Sequence, residues 1–293
     1  MPANNNLQLK QHLQRLIDYI EEHLEDELNL DDLSRVIGYS PFHLHHIFTA
    51  FTGESLAGYI RKRRLSQAVR WIQGTDLRIT DIALHCGYQT PAAFSKGFRQ
   101  EFGISPSELR KNKPFLLLHD QLSVKVDTAR SIKMDFRVID KSEQRVLTVE
   151  KKGQINNNFT KTADKAFMVL DNYIRFNKLR SFVGQCLGIT PDDTLSDTPE
   201  ENRYIAGYFI TREINFPEHN AVKQIVLPAG KFAVFEHHGA YETLWKTWKA
   251  IYHDWLPQCE YTPRDALPYE VYVKSKVEYK KEDMLTEIYI PIE

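Results

Sequence analysis

The stretch Leu33-Ser34-Arg35-Val36-Ile37-Gly38-Tyr39-Ser40-Pro41-Phe42-His43-Leu44 is written a second time, in outline, as Ile82-Ala83-Leu84-His85-Cys86-Gly87-Tyr88-Gln89-Thr90-Pro91. Gly87 follows Gly38 by 49 positions (87 − 38), and Gly103 follows Gly53 by 50 (103 − 53), so the second turn holds one extra residue. The glycine follows a short apolar-periodic helix and can take the left-handed conformation that stops it. A polar residue and a proline then open the next helix, where the missing proline N–H costs nothing. The first copy runs on through Phe48 to Gly53-Glu54-Ser55, the second through Phe94 and Phe98 to Gly103-Ile104-Ser105-Pro106. Two helix-turn-helix units offer two second helices to a duplex, the arrangement of a DNA reader.

Other residues at matching spacing extend the pattern: Ile60-Arg61-Lys62-Arg63-Arg64-Leu65, and Phe94-Ser95-Lys96-Gly97-Phe98-Arg99-Gln100-Glu101-Phe102-Gly103 with Leu109-Arg110 behind it. Over about 80 residues the chain resembles the AraC/XylS family of bacterial transcription regulators. That resemblance implies a seven-helix domain whose third and sixth helices enter successive faces of the major groove. The helix after Ser55, carrying Leu56, Tyr59, Ile60, Leu65, Ala68, Val69 and Ile72, would bridge the two units and hold them about 34 Å apart, one turn of DNA.

Charge supports the same reading. The net charge is −1, but from Arg61 to Lys113 eleven Lys and Arg residues face four acids, a local excess of seven positive charges. A basic surface on a neutral chain is the footprint of a phosphate binder. Arg61 to Arg64 are too tightly bunched for all to be buried, which puts some of them at phosphates. Acids gather instead between Asp18 and Asp32. The first helix, Leu9 to Leu24, has an apolar stripe (Leu13, Leu16, Ile17, Ile20) that covers the first reading unit.

With Leu44, Ile47, Phe48 and Phe51 assigned to the core, Phe42, His45, His46 and Thr49 are left on the outward face of the first recognition helix. The second presents Thr90, Pro91, Ala92, Ser95, Lys96 and Arg99. Phe42, Pro91 and Ala92 suit thymine methyls, and Lys96 suits guanine or phosphate. Relatives carry Trp and Arg where this chain has Phe42 and His46, and histidine cannot make arginine's bidentate contact to guanine.

At 293 residues the chain has room for two cores. No apolar run approaches a membrane span, and the polar start Met1-Pro2-Ala3-Asn4-Asn5-Asn6 is not a signal peptide. Cys86, Cys186 and Cys259 lack CxxC spacing, so free thiols in a reducing cytoplasm are expected, with no metal and no cofactor.

Residues 1–113 read as the all-α double helix-turn-helix domain, 114–134 as a linker and 135–293 as an α+β domain. In this last part a second repeat appears. Val149-Glu150-Lys151-Lys152-Gly153 ends one strand, and Phe235-Glu236-His237-His238-Gly239 ends another 86 positions later (235 − 149). Each is followed by an amphipathic helix, through Ala166, Phe167, Leu170, Tyr173 and Ile174 in one case and Leu244, Trp245, Trp248, Ile251, Tyr252 and Trp255 in the other. Two more strands follow each helix: Phe182 to Gly188 and Tyr204 to Ile210, then Tyr269 to Val273 and Leu285 to Ile292. Strand–helix–strand–strand written twice gives a pseudo-twofold α+β domain. Adjacent His237 and His238 point to opposite sides of a strand, which disfavours a metal site.

Phe235-Glu236-His237-His238-Gly239-Ala240-Tyr241, Tyr269-Glu270-Val271-Tyr272 and Glu287-Ile288-Tyr289-Ile290-Pro291-Ile292 resemble the GyrI-like effector-binding domain. The resemblance implies a glutamate on the last strand inside an aromatic cleft between the repeats. Alternation puts Glu287 with Tyr289 on one face of its strand and Glu270 with Tyr272 on one face of its own. The expected effector site is therefore Glu287, Tyr289, Tyr272, Glu270, Tyr208 and Trp245, with a small cationic amphipathic effector. A buried carboxylate is expensive without a cation or a proton, and ring faces attract cations. A structural ion pair at Glu287 is the alternative. No activated nucleophile pair or metal spacing favours catalysis, so the expectation is a non-enzymatic one-component regulator binding duplex DNA, RNA polymerase and an effector, as a monomer at the cytoplasmic nucleoid; the alternatives are a DNA reader joined to a small-molecule hydrolase and a DNA reader joined to a ligand-free protein-interaction module.

Overall fold

The computed structural model describes residues 3–124, 134–154, 159–192, 200–212 and 215–293, with the side chains of residues 3–7 and Phe42 outside that set. Seven helices come first: α1 (Ala3–Glu22), α2 (Leu30–Ile37), α3 (Pro41–Thr52), α4 (Leu56–Gly74), α5 (Ile79–His85), α6 (Pro91–Phe102) and α7 (Pro106–Asn112). Their boundaries follow the repeated backbone devices. Gly38 and Gly87 sit at φ +74° and +78°, where a residue with a Cβ would be strained. Ser40 Oγ then accepts from the His43 N–H at 3.3 Å, and Thr90 Oγ1 from the Ala93 N–H at 3.2 Å, each ahead of a proline in the first helical turn.

The cationic run on α4 divides between surface and interior. Arg61 is exposed, but Arg63 is buried and grips Glu21 with two bonds, Nε to Oε1 at 2.7 Å and Nη2 to Oε2 at 2.6 Å. Arg64 turns inward to the carbonyls of Leu24 and Asp26, and Lys62 pairs with Glu54. The helix ends of α1 and the chain after it need donors, and α4 supplies them. Residues 114–124 are not a free tether: Leu116 and Leu118 pack on the second unit's core, the His119 N–H donates to Ser66 Oγ, and the His119 carbonyl accepts from Arg63. Residues 125–133, the rest of the expected linker, lie outside the described residues.

The second half holds β1 (Arg137–Lys141), β2 (Gln144–Lys152), α8 (Thr160–Phe176), β3 (Val183–Ile189), β4 (Arg203–Ile210), β5 (Val222–Leu227), β6 (Gly230–His238), α9 (Leu244–Ala250), β7 (Tyr269–Lys274) and β8 (Leu285–Ile292). The eight strands form one antiparallel sheet in the order β1-β6-β8-β7-β3-β4-β2-β5. Its two halves mirror one another about the β7–β3 seam, as the repeat requires. Each half carries one strand beyond the repeated strand–helix–strand–strand unit, and the two are exchanged: β1, joined to β2, pairs with β6, while β5, joined to β6, pairs with β2.

One hydrophobic core spans both halves of the chain. Leu13, Leu44 and Phe48 of the helical part belong to the same cluster as Phe235, Ile251, Tyr252, Trp255 and Ile288. The segment after α9 makes this contact. It widens into a π-helical turn at Ile251–Trp255, a geometry that often marks functional sites.

Candidate ligand cavity and DNA-reading faces

A cavity of about 2130 Å³ lies between α8, α9, the β3–β7 seam and α3. Glu270 stands in its wall, 8 % exposed. Trp248 Nε1–H donates to Glu270 Oε1 at 2.7 Å and the Tyr272 hydroxyl donates to Oε2 at 2.7 Å. The Tyr204 and Tyr272 hydroxyls are 2.7 Å apart. Burial pushes the Glu270 carboxyl up, and the Trp248 and Tyr272 bonds only partly offset it. Phe167 meets Tyr204, Tyr208 and Tyr272 edge-on, and Tyr241 packs against Tyr272 with ring centres 5.1 Å apart. Gly188, opposite Glu270 in the sheet, leaves the room these rings use: a Cβ there would lie 2.3 Å from the Tyr272 hydroxyl and 2.4 Å from that of Tyr204.

The cavity wall thus holds a desolvated acid among aromatic rings. Of the expected effector residues, Glu270, Tyr272, Tyr208 and Trp245 line the cavity. Tyr208 donates to Asp171 at 2.8 Å, and Trp245 is 56 % exposed at the mouth. Trp248, Tyr204 and Gly188 escaped the reading from sequence. Trp248 lies three residues after Trp245 on an amphipathic helix and looked like core.

Glu287 and Tyr289 are corrected by register. Val271 pairs with Glu287 and Glu270 with Ile288, so the two glutamates occupy opposite faces of the sheet. Glu287 accepts from Arg137 at 2.5 Å and from the Tyr289 hydroxyl at 2.6 Å. Tyr289 stacks on Tyr269 with centres 4.7 Å apart, under the Lys141 ammonium at 4.6 Å. A carboxylate, rings and a cation are all present there, but the cations are the protein's own. The structural ion pair holds at Glu287.

On the DNA side, α6 presents its expected face: Thr90, Pro91, Ala92, Lys96 and Arg99 are exposed and Ser95 half-buried, with Arg99 paired to Glu108 at 3.1 Å. The α3 set differs. Phe42's side chain lies outside the described residues. His45 is buried, His46 and Thr49 are half-buried, and all three line the cavity between the two halves of the chain. The physical reason is aromatic: the His46 ring stacks on Tyr252 at 4.4 Å and 15°, with Trp248 at 6.3 Å. Neutral imidazoles make good partners for such faces.

His43 pins the same contact. Its Nε2–H donates to the Ala266 carbonyl at 3.1 Å, which leaves Nδ1 to accept from the Tyr252 hydroxyl at 3.2 Å. Burial, with some help from the Arg264 charge, pushes the His43 imidazole down to about 4. His46 is also lowered, by burial and then by His45, His43 and His253. The docked arrangement thus binds fewer protons than an undocked one. Its histidine contribution is full above about 6.5 and is lost as pH falls toward about 4. An NMR titration of the His43 ring should give a midpoint near 4 in the intact protein and one moved back toward 6.5 in Tyr252→Ala. Equal midpoints in the two would show that docking does not set it.

Among the described residues no three His, Cys, Asp or Glu side chains gather as a metal site, and no helix is long and apolar enough to cross a membrane. Cys86, Cys186 and Cys259 are free, and burial pushes their thiols up to about 12, 11 and 12.

Comparison with known proteins matches residues 134–293 to the GyrI-like small molecule binding domain and residues 33–112 to a helix-turn-helix domain. The regulatory protein SoxS of Salmonella typhimurium is 40% identical over 101 residues, covering 34% of this chain and 94% of that protein. The transcriptional activator AarP of Providencia stuartii is 37% identical over 98 residues, covering 33% and 73%. A solved AraC-type DNA-binding domain-containing regulator from Chromobacterium violaceum is 29% identical over 35% of this chain and 92% of its own, with a TM-score of 0.34.

Proposed function

Because the chain belongs to the GyrI-like small-molecule-binding family, with an AraC-type helix-turn-helix domain ahead of that module, we propose that this DNA-binding regulator senses an amphipathic organic cation through Glu270. The observation that carries the reading is the Glu270 carboxyl itself, held by Trp248 and Tyr272 in a ring-lined cavity with no cation of the described residues bonded to it. A cationic ligand would gain from the partly desolvated charge and from the ring faces, the latter worth about 0.5–2 kcal/mol. The full chain should bind a lipophilic cation at least roughly tenfold more tightly than a neutral isostere, a gap of about 1.4 kcal/mol, as read by calorimetry. Equal affinities would remove the cation-sensor reading.

DNA is read in this account by α3 and the exposed face of α6, with Arg61 at phosphate. One chain carries both reading helices, so a monomer suffices on DNA. RNA polymerase is the partner an activator requires, and the cytoplasmic nucleoid is the place of action. Binding should weaken steeply with salt, because each neutralised phosphate releases counterions. Lys96→Ala should cost about 1–3 kcal/mol if Lys96 reads guanine, and do so at one base position. Mobility shifts at several salt concentrations check both. Salt-insensitive binding would contradict the footprint.

A further inference from the structure

The α3 face that the helix-turn-helix reading turns toward DNA is also the face that closes the ligand cavity. His45, His46 and Thr49 belong to both descriptions. His46 stacks on Tyr252 and Trp248, and Trp248 is the residue whose Nε1–H holds Glu270. A row of rings therefore runs from the recognition helix to the buried carboxyl. Along the same contact, His43 is bonded to Tyr252 and to the Ala266 carbonyl.

We propose that this face of α3 is an exchange surface, taken either by the second domain with its ligand or by a DNA groove, so that ligand and DNA bind antagonistically. The proposal rests on reading the cavity as the ligand site and α3 as a DNA-reading helix. A recognition helix can enter a major groove about 12 Å wide only with its reading face bare, and here Tyr252 and Trp248 stack against His46 while His45 and Thr49 face the cavity.

The sign follows from where the cavity exists. It is open while α3 is docked, so a ligand need not separate the domains to enter. Once inside, it touches side chains of both domains, contacts that an undocked protein cannot offer. A ligand that prefers one of two states draws the population toward it. By reciprocity, DNA must weaken the ligand by the factor the ligand weakens DNA. The ligand then acts as a clamp on the covered form.

The test uses the full chain, a duplex it selects from a random pool, and tetraphenylphosphonium as the probe. Saturating probe should lower DNA affinity by roughly tenfold, and saturating DNA should lower probe affinity by the same factor. Tyr252→Ala should raise DNA affinity without any ligand and shrink the effect of the probe. Tyr252→Phe, which keeps the ring and loses the hydroxyl bonded to His43, should do the same to a smaller degree. Probe that binds yet leaves DNA affinity unchanged, or raises it, overturns the exchange and leaves the ligand site standing. If the probe does not bind, the ligand-site reading fails. The Tyr252 variants then decide alone: tighter DNA binding upholds exchange between domain and DNA, and unchanged binding overturns it.

Discussion

Glu270→Gln is expected to lower affinity for a lipophilic cation by at least roughly tenfold, about 1.4 kcal/mol, while a neutral isostere binds as before. The substitution keeps the shape of the side chain. Trp248 can still donate to the amide oxygen, and the Tyr272 hydroxyl can accept from the amide nitrogen, so the wall should stay in place. Only the charge goes. Stability should not fall, and the sign can be worked out. Burial raises the Glu270 carboxyl in the folded protein, so the fold holds that proton more tightly than the unfolded chain does. Above the ordinary carboxyl range the ionised side chain works against folding, and glutamine removes that penalty along with its pH dependence. Glu287→Gln is the control with opposite expectations. It should leave ligand affinity alone but cost stability, because the amide lacks the charge that pairs with Arg137 and keeps only one of the two oxygens that accept from Arg137 and Tyr289. Urea titration and calorimetry on the two variants read both quantities. A Glu287 variant that loses cation binding while the Glu270 variant keeps it would reverse the assignment of faces.

Arg63→Ala should destabilise the protein by about 3 kcal/mol, since breaking a buried pair leaves an uncompensated charge behind. Arg63 is 7 % exposed at its side chain and Glu21 15 %. Burial alone would raise the Glu21 carboxyl, but the bonds from Arg63 and Tyr59 outweigh it and hold it below the usual range. The guanidinium also donates to the His119 carbonyl, which ties the extended segment after α7 to α4. Alanine would therefore unpair a carboxylate and release that segment together. Because no charge is then left buried, the double variant Glu21→Leu with Arg63→Met should recover much of the loss. A loss under about 1 kcal/mol for Arg63→Ala, the range of exposed pairs, would mean that Arg63 reaches solvent and belongs to the phosphate footprint after all.

The helical half was legible because its signals are local. A left-handed glycine, a capping hydroxyl and a proline mark each turn within a few residues, and all recur in the structure at Gly38, Ser40 and Pro41 and at Gly87, Thr90 and Pro91. The strand–helix–strand–strand repeat was legible through alternation. Edge strands were harder: most of β5 is exposed or half-buried and carries no clean apolar period, so Val222–Leu227 went unread.

What failed depended on pairing between distant segments. Alternation shows that Glu287 shares a side with Tyr289, but only the register of β7 on β8 shows that this side is not Glu270's. Likewise the helical period of α3 identifies the face left after its core residues. It cannot reveal that Tyr252, 206 positions after His46 (252 − 46), stacks on that face. His45 and His46 looked like outward polar residues because the rings on which His46 stacks, Trp248 and Tyr252, lie in the other half of the chain.

A crystal structure of the full chain with tetraphenylphosphonium bound tests Glu270 as the cation site directly. The phosphonium centre should lie beside the Glu270 carboxylate, with the rings of Trp248 and Tyr272 among its walls at cation–π range, within about 6 Å of their centroids. A phosphonium seated against Glu287 and Tyr289, or anywhere that leaves the Glu270 cavity unfilled, would contradict it.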